Sequence, residues 1–143
     1  MEKSRITDAM NFIKERELDN VEFLGFVKGE KKKQLLLDSD IFILPTYYYY
    51  EGLPISILEA MATGLPIITT RHGGIPGIIE EGINGFFVPP GNPEMIAETI
   101  EKLYFHPHLQ AKIAEENIKK ALNNFKKEHY EKSLLEIFNK VLN

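Results

Sequence analysis

IFILPTYYYYEGLPISILEAMATGLPIITT, residues 41–70, contains the run of elements that decides the fold. IFIL (41–44) is a continuous apolar run stopped by Pro45, the pattern of a strand buried on both faces. Pro54 suits the first turn of a helix, where its missing N–H costs nothing. That helix runs to about Thr63 and stops at Gly64. PIITT (66–70) is a second buried strand. Short unbroken strands separated by a helix predict a parallel α/β sheet covered by helices on both faces.

The flanks extend this pattern. Ile6, Met10 and Ile13 fall at helical spacing and predict a helix over 5–17, ended by Asp19-Asn20. VEFLGFV (21–27) alternates and is rich in Val and Phe, which predicts a short strand. Residues 30–38 read as a helix with a basic outer face. HGGIPGIIEEGING (72–85) reads as loop, short helix and loop, with Pro76 starting the helix, and FFV (86–88) as a further strand. Three helices follow: one on Ile96, Ile100, Leu103 and Tyr104, one from Leu109 to Phe125, and one on Tyr130, Leu134, Ile137, Phe138 and Val141. The expected organisation is a single domain over 1–143, with sheet and helices in 1–125 and a C-terminal helix in 126–143.

Charge is placed unevenly. Residues 1–40 carry 17 charged side chains, 94–143 carry 16, and 41–93 carry only Glu51, Glu59, Arg71, Glu80 and Glu81. The middle is therefore the buried core, and each charge retained there needs a reason, because burying an unpaired carboxylate is costly. A net charge of −4 argues against nucleic acid or an anionic membrane as partner. The absence of cysteine removes disulfides, thiolate catalysis and cysteine-bound metal. No apolar run approaches the roughly 20 residues of a membrane span, and MEKSRITDAMNF has no signal-peptide core, so a cytoplasmic location is expected.

In parallel sheets, ligands sit at the carboxyl ends of the strands. The loops 45–54 and 71–76 both follow strands and open on that edge. Glu51 lies in the first loop beside Gly52, and Glu59 lies two turns into the next helix. A carboxylate can accept from both hydroxyls of a vicinal diol, and the helix N-terminus suits phosphate. The same residues also fit a plainer account: Ser56, Glu59 and Thr63 form an ordinary polar stripe, and Glu51 is a solvated loop residue. Gly73-Gly74 fits an amide cradle or a tight turn, and Arg71 fits a phosphate contact or a pair with Glu80 or Glu81. His72 fits a proton shuttle or an exposed loop residue. Of tyrosines 47–50, two are expected to pack and two to face a cleft or solvent. No cluster has metal-ligand spacing, and no G-x-S-x-G occurs.

Taken in order, Pro45-Thr46-Tyr47-Tyr48, Glu51-Gly52-Leu53-Pro54, Leu58-Glu59-Ala60-Met61-Ala62, Gly64-Leu65-Pro66, Gly73-Gly74-Ile75-Pro76 and Glu81-Gly82-Ile83-Asn84-Gly85-Phe86 resemble the signature of retaining GT-B glycosyltransferases of the family-four group. Glu51 and Glu59 have its E-x7-E spacing, and the resemblance runs from about Asn20 to Phe125. It implies the C-terminal, donor-binding, Rossmann-like half of such an enzyme. That enzyme moves a sugar from a nucleotide-sugar to an acceptor with retention, usually without metal or other cofactor, in cell-surface polysaccharide or glycolipid synthesis. By the same resemblance Glu59 holds the ribose diol and Glu51, the catalytic candidate, lies by the transferred sugar. Gly52, Leu53, Pro54 and Ile55, with Thr46, Gly73 and Gly74, belong to the donor site.

The sequence departs from the family in three ways. It lacks the N-terminal acceptor domain, through which alone membrane association is expected. It lacks the first two strands of the donor domain, with their diphosphate-clamping Arg and Lys. Gly77 stands where many relatives have an acidic residue. The fragment is therefore expected to be inactive or weak alone. In a 3-2-1-4-5-6 sheet the strands at 21–25 and 41–44 are not neighbours. The expected outcomes are direct pairing of those two, a homodimer, or a companion chain. The rival expectation is a non-catalytic partner subunit or interaction module.

Overall fold

Three parallel strands organise the centre of the chain: β1 (Phe42–Leu44), β2 (Ile67–Thr69) and β3 (Gly85–Phe87). They lie in the order β1-β2-β3, with Phe42 opposite Ile67 and Ile67 opposite Gly85. The computed structural model describes residues 2–126 together with Glu128, His129, Glu131 and Leu135. It divides into two units, Met1–Lys33 and Gln34–Asn143, and the sheet belongs to the second.

In the second unit, β1 leads through the loop 45–54 into α3 (Ile55–Ala62). Gly64 takes a φ of 81° just past the C-cap and turns the chain into β2. After β2 comes a single 3-10 turn at Ile75–Gly77, with Pro76 in it, and then β3. Asn92 caps α4 (Pro93–Phe105) by accepting the Met95 N–H at 2.9 Å, and α5 (Pro107–Asn124) follows.

Alternation along β2 sorts the core into two layers. Ile67 packs with Ile57, Ala60 and Met61 of α3 and with Ile75 and Ile79 beyond the strand. Ile68 points the other way and packs with Phe86, Val88, Leu103 of α4 and Ile113 of α5. Helices thus cover both faces, as the sequence predicts. Asn117 of α5 is wholly buried, and its amide donates to Leu65 O at 2.8 Å and Asn84 O at 2.9 Å, joining the approaches to β2 and β3.

One expectation fails for β1. It was predicted to be buried on both faces, but Ile43 is 38 % exposed and Phe42 and Leu44 are only half-buried. It is the edge of the sheet, and an apolar run cannot distinguish an edge from a centre.

The first unit contains α1 (Glu2–Glu15) and the start of α2 (Gly29–Leu37). The strand predicted at 21–27 is absent, so the expected strand-to-strand pairing has no strand on that side to form it. Gly25 takes a φ of 63°, which breaks an extended path, and Phe26 is 92 % exposed. Alternating sequence makes a strand only where a neighbouring strand accepts its hydrogen bonds. The predicted C-terminal helix at 126–143 falls almost wholly outside the described residues.

Candidate functional site

The loops leaving β1 and β2 touch along their length. Parallel pairing ends at Leu44 and Thr69, where the Thr69 hydroxyl donates to Leu44 O at 2.8 Å. Beyond the strands the contact continues. The Thr70 hydroxyl donates to Thr46 O. His72 Nε2 lies 2.7 Å from Tyr48 O, and because a carbonyl only accepts, that nitrogen carries a proton. The Gly74 N–H donates to Gly52 O at 2.7 Å. The first loop is therefore held at residues 46, 48 and 52 by the second loop's residues 70, 72 and 74.

Between these points the loops meet without room for a side chain. Gly73 has a φ of 53°, and a Cβ there would stand 2.2 Å from Glu51 O and 2.6 Å from Gly52 O. The glycine pair is thus explained by close backbone approach as well as by positive φ. Its Gly74 N–H is engaged by Gly52, so that donor serves the loop contact.

Glu51 sits at this junction, half-buried. Its N–H donates to Tyr48 O at 2.9 Å, and Thr46 Oγ1 donates to its Oε2 at 3.1 Å. The carboxylate thus has a fixed backbone and one oriented oxygen. Next in the chain, Gly52 and Leu53 are exposed, and Pro54 is the N-cap of α3 with φ −63° and ψ 118°. No side chain caps this helix. Its first-turn amides, at Ile55 and Ser56, have no carbonyl one turn back within the helix, so the N-terminus favours an anion. Glu59 follows Ile55 by four residues on the same helix and is half-buried. About 6 Å of helix rise separates these two positions.

The remaining candidates are placed as follows. Arg71 stacks over Phe87, 4.0 Å from the ring centroid, and lies 4.0 Å from Glu81 Oε2, so its pair is Glu81. Glu80 instead pairs with Lys120 at 2.6 Å. That lysine's hydrogen bond and charge, against a smaller desolvation effect, hold the Glu80 carboxyl below its usual value. A shallow cavity of about 300 Å³ beside Arg71, lined also by Phe87 and Met95, contains none of the donor-site candidates. All four tyrosines are exposed, between 62 % and 83 %, so the expectation that two would pack is corrected. With both ends of the loop tied to the second loop, the rings have no core within reach.

Sequence reading missed the roles of Thr70 and His72. Thr70 carried a signal: a fully buried hydroxyl at a strand end needs an acceptor. His72 carried none, because its partner is 24 residues away.

This arrangement defines a Rossmann-like α/β domain with a carboxylate loop and an uncapped helix N-terminus on the carboxyl edge of its sheet. The chain belongs to the family described as "Glycosyl transferases group 1", whose pattern matches residues 7–120. It is 37 % identical over 89 residues to the amylovoran biosynthesis glycosyltransferase AmsK of Erwinia amylovora, covering 59 % of this chain and 22 % of that protein. Its fold matches the crystal structure of Anabaena HepE with UDP-glucose at a TM-score of 0.87 and 26 % identity, over 97 % of this chain and 38 % of that one. It also matches the C-terminal domain of the group 1 glycosyl transferase LpcC from Francisella tularensis at a TM-score of 0.75 and 26 % identity, over 87 % and 64 %. The chain thus spans about a fifth of the AmsK sequence and corresponds to a C-terminal-type GT-B domain.

Proposed function

We propose that this chain is the donor-binding half of a retaining glycosyltransferase acting in surface polysaccharide or glycolipid synthesis. In this reading Glu59 accepts hydrogen bonds from the ribose diol, the open N-terminus of α3 meets the diphosphate, and Glu51 faces the transferred sugar. Leu53 and Ile55 supply amides near the phosphates, and Gly52 and Gly74 set the loop's height. One observation carries the reading: Glu51 and the uncapped start of α3 stand together, in a loop fixed by Thr70, His72 and Gly74. The UDP-glucose complex of HepE and the polysaccharide role in AmsK's name support the substrate class. The donor's charge is met by backbone amides, without a resident metal or cofactor.

The acceptor site and the basic diphosphate clamp belong to a further domain or companion chain, so turnover needs that partner. Among the described residues β1 is paired on one side only, and its free edge is where a companion strand would pair.

Calorimetric titration with UDP, GDP and their hexose conjugates tests the donor reading. One nucleotide should bind, and Glu59→Ala should weaken it by about 1.5–3 kcal/mol, the scale of a charge-assisted hydrogen bond. Equal affinity in the variant would remove Glu59 from the site.

A further inference from the structure

The contact between the two loops reaches the Glu51 carboxylate through Thr46, and every polar atom of that threonine is engaged. Its N–H donates to Leu44 O at 2.9 Å, and its carbonyl accepts from the Thr70 hydroxyl. Its Oγ1 accepts from the Tyr48 N–H at 3.3 Å and donates to Glu51 Oε2 at 3.1 Å.

A hydroxyl has a single proton to give. With the Tyr48 N–H aimed at Oγ1, that proton is turned away from the amide and toward Glu51. The backbone beneath the hydroxyl is fixed on both sides of its Cα, and a β-branched side chain has few χ1 choices. Thr46 and Glu51 are both half-buried. Thr46 Oγ1 is the carboxylate's hydrogen-bond partner among the described residues, and Oε1 accepts from none of them. A glutamate side chain left to itself samples several rotamers. Here the bond to Oε2 selects among them and leaves Oε1 open to a ligand.

We propose that Thr46 is a positioning residue for Glu51: it holds Oε2 so that Oε1 is the oxygen that meets a hydroxyl of the transferred sugar. The sugar's place rests on the donor reading above; the hold on Glu51 does not. The frame set by the β2 loop thereby reaches a side chain that could face substrate.

Two measurements on this chain test the proposal, and the first needs no ligand. Three-bond NMR couplings across χ1 of Glu51 should report one rotamer in the native protein and in Thr46→Ser. They should report averaging in Thr46→Val, which keeps the shape and loses the hydroxyl. Averaging in the native chain overturns the hold without any variant, and a single rotamer kept in Thr46→Val overturns it too. The second measurement is calorimetric titration with UDP-glucose and with UDP. The ratio of the two affinities cancels any general loosening of the nucleotide site. Thr46→Val should lower that ratio about three- to tenfold, the range of one hydrogen bond, and Thr46→Ser should restore it. In a Glu51→Ala background Thr46→Val should lower it no further, because a residue acting through another adds nothing once that other is gone. Additive losses would give Thr46 its own contact with the sugar and overturn the positioning role. Binding of both nucleotides with a ratio unmoved by Thr46→Val overturns the proposal and spares the donor reading. Failure of the native chain to bind either one removes the donor reading and the sugar-facing role of Oε1 with it, and the ligand-free couplings still decide the hold on Glu51.

Discussion

β1 and β2 are three-residue strands of similar apolar character, FIL and IIT, joined by one helix, yet they serve different ends. β2 has no exposed residue and is paired on both sides. β1 is paired on one side and leaves Ile43 partly in solvent. The loops inherit the difference. The loop after β2 is short and presents hydroxyl, imidazole and amide donors. The loop after β1 is longer and presents carbonyl acceptors beneath a carboxylate and four rings. The buried strand supplies the frame, and the edge strand carries what is displayed on it.

The sharpest way to break this contrast is to truncate the same residue type on each strand. Ile68→Ala should cost about 2–5 kcal/mol in a urea titration, as a fully buried position, and Ile43→Ala about 1 kcal/mol or less. Equal costs would mean that β1 is covered in solution. Next in size is the contact between loops. Gly73→Ala should lose about 2–3 kcal/mol, from its positive φ and from the clash with Glu51 O. If the proposed donor site is right, it should also weaken the binding of UDP-hexoses, which the same titration would register.

A smaller effect isolates the imidazole. His72→Ala should cost about 0.5–1.5 kcal/mol and speed amide exchange at Glu51. His72→Gln, whose Nε2 can still donate to Tyr48 O, should restore protection. Failure of the glutamine to rescue would mean that ring packing, not the hydrogen bond, holds the loop. The smallest effect lies away from the site. Lys120 depresses the Glu80 carboxyl below its ordinary 4.5, so the folded state binds that proton less readily than the unfolded state. The pair's contribution is present above that ordinary value and fades as pH falls through the folded one. Lys120→Met should reduce the change in urea midpoint between about pH 6 and about pH 3, and an unchanged slope would remove the pair from the acid response.

Much of this was legible in the sequence, because the relevant information is local. Pro54 and Gly64 bracket α3, and helical spacing marks α1, α4 and α5. The apolar runs at 41–44 and 66–70 are strands. What the sequence could not show is which neighbours are present. VEFLGFV alternates like a strand but has no ladder to join, and IFIL does not announce that it is an edge. In the site, Glu51, Glu59 and the glycine pair stood out by residue type. The reason for Gly73, a carbonyl 22 residues upstream in the chain, required the fold. So did His72, an unremarkable histidine until the parallel crossover brings Tyr48 O to it.

Each hydrogen bond that the β2 loop makes to the β1 loop ends on a backbone carbonyl, at Thr46, Tyr48 or Gly52. Every amino acid offers that same oxygen. Positions 47–50 can therefore change identity over descent without loosening the seat of Glu51. A lineage can alter what this loop displays while keeping where it stands, so surface chemistry and architecture can drift on separate clocks.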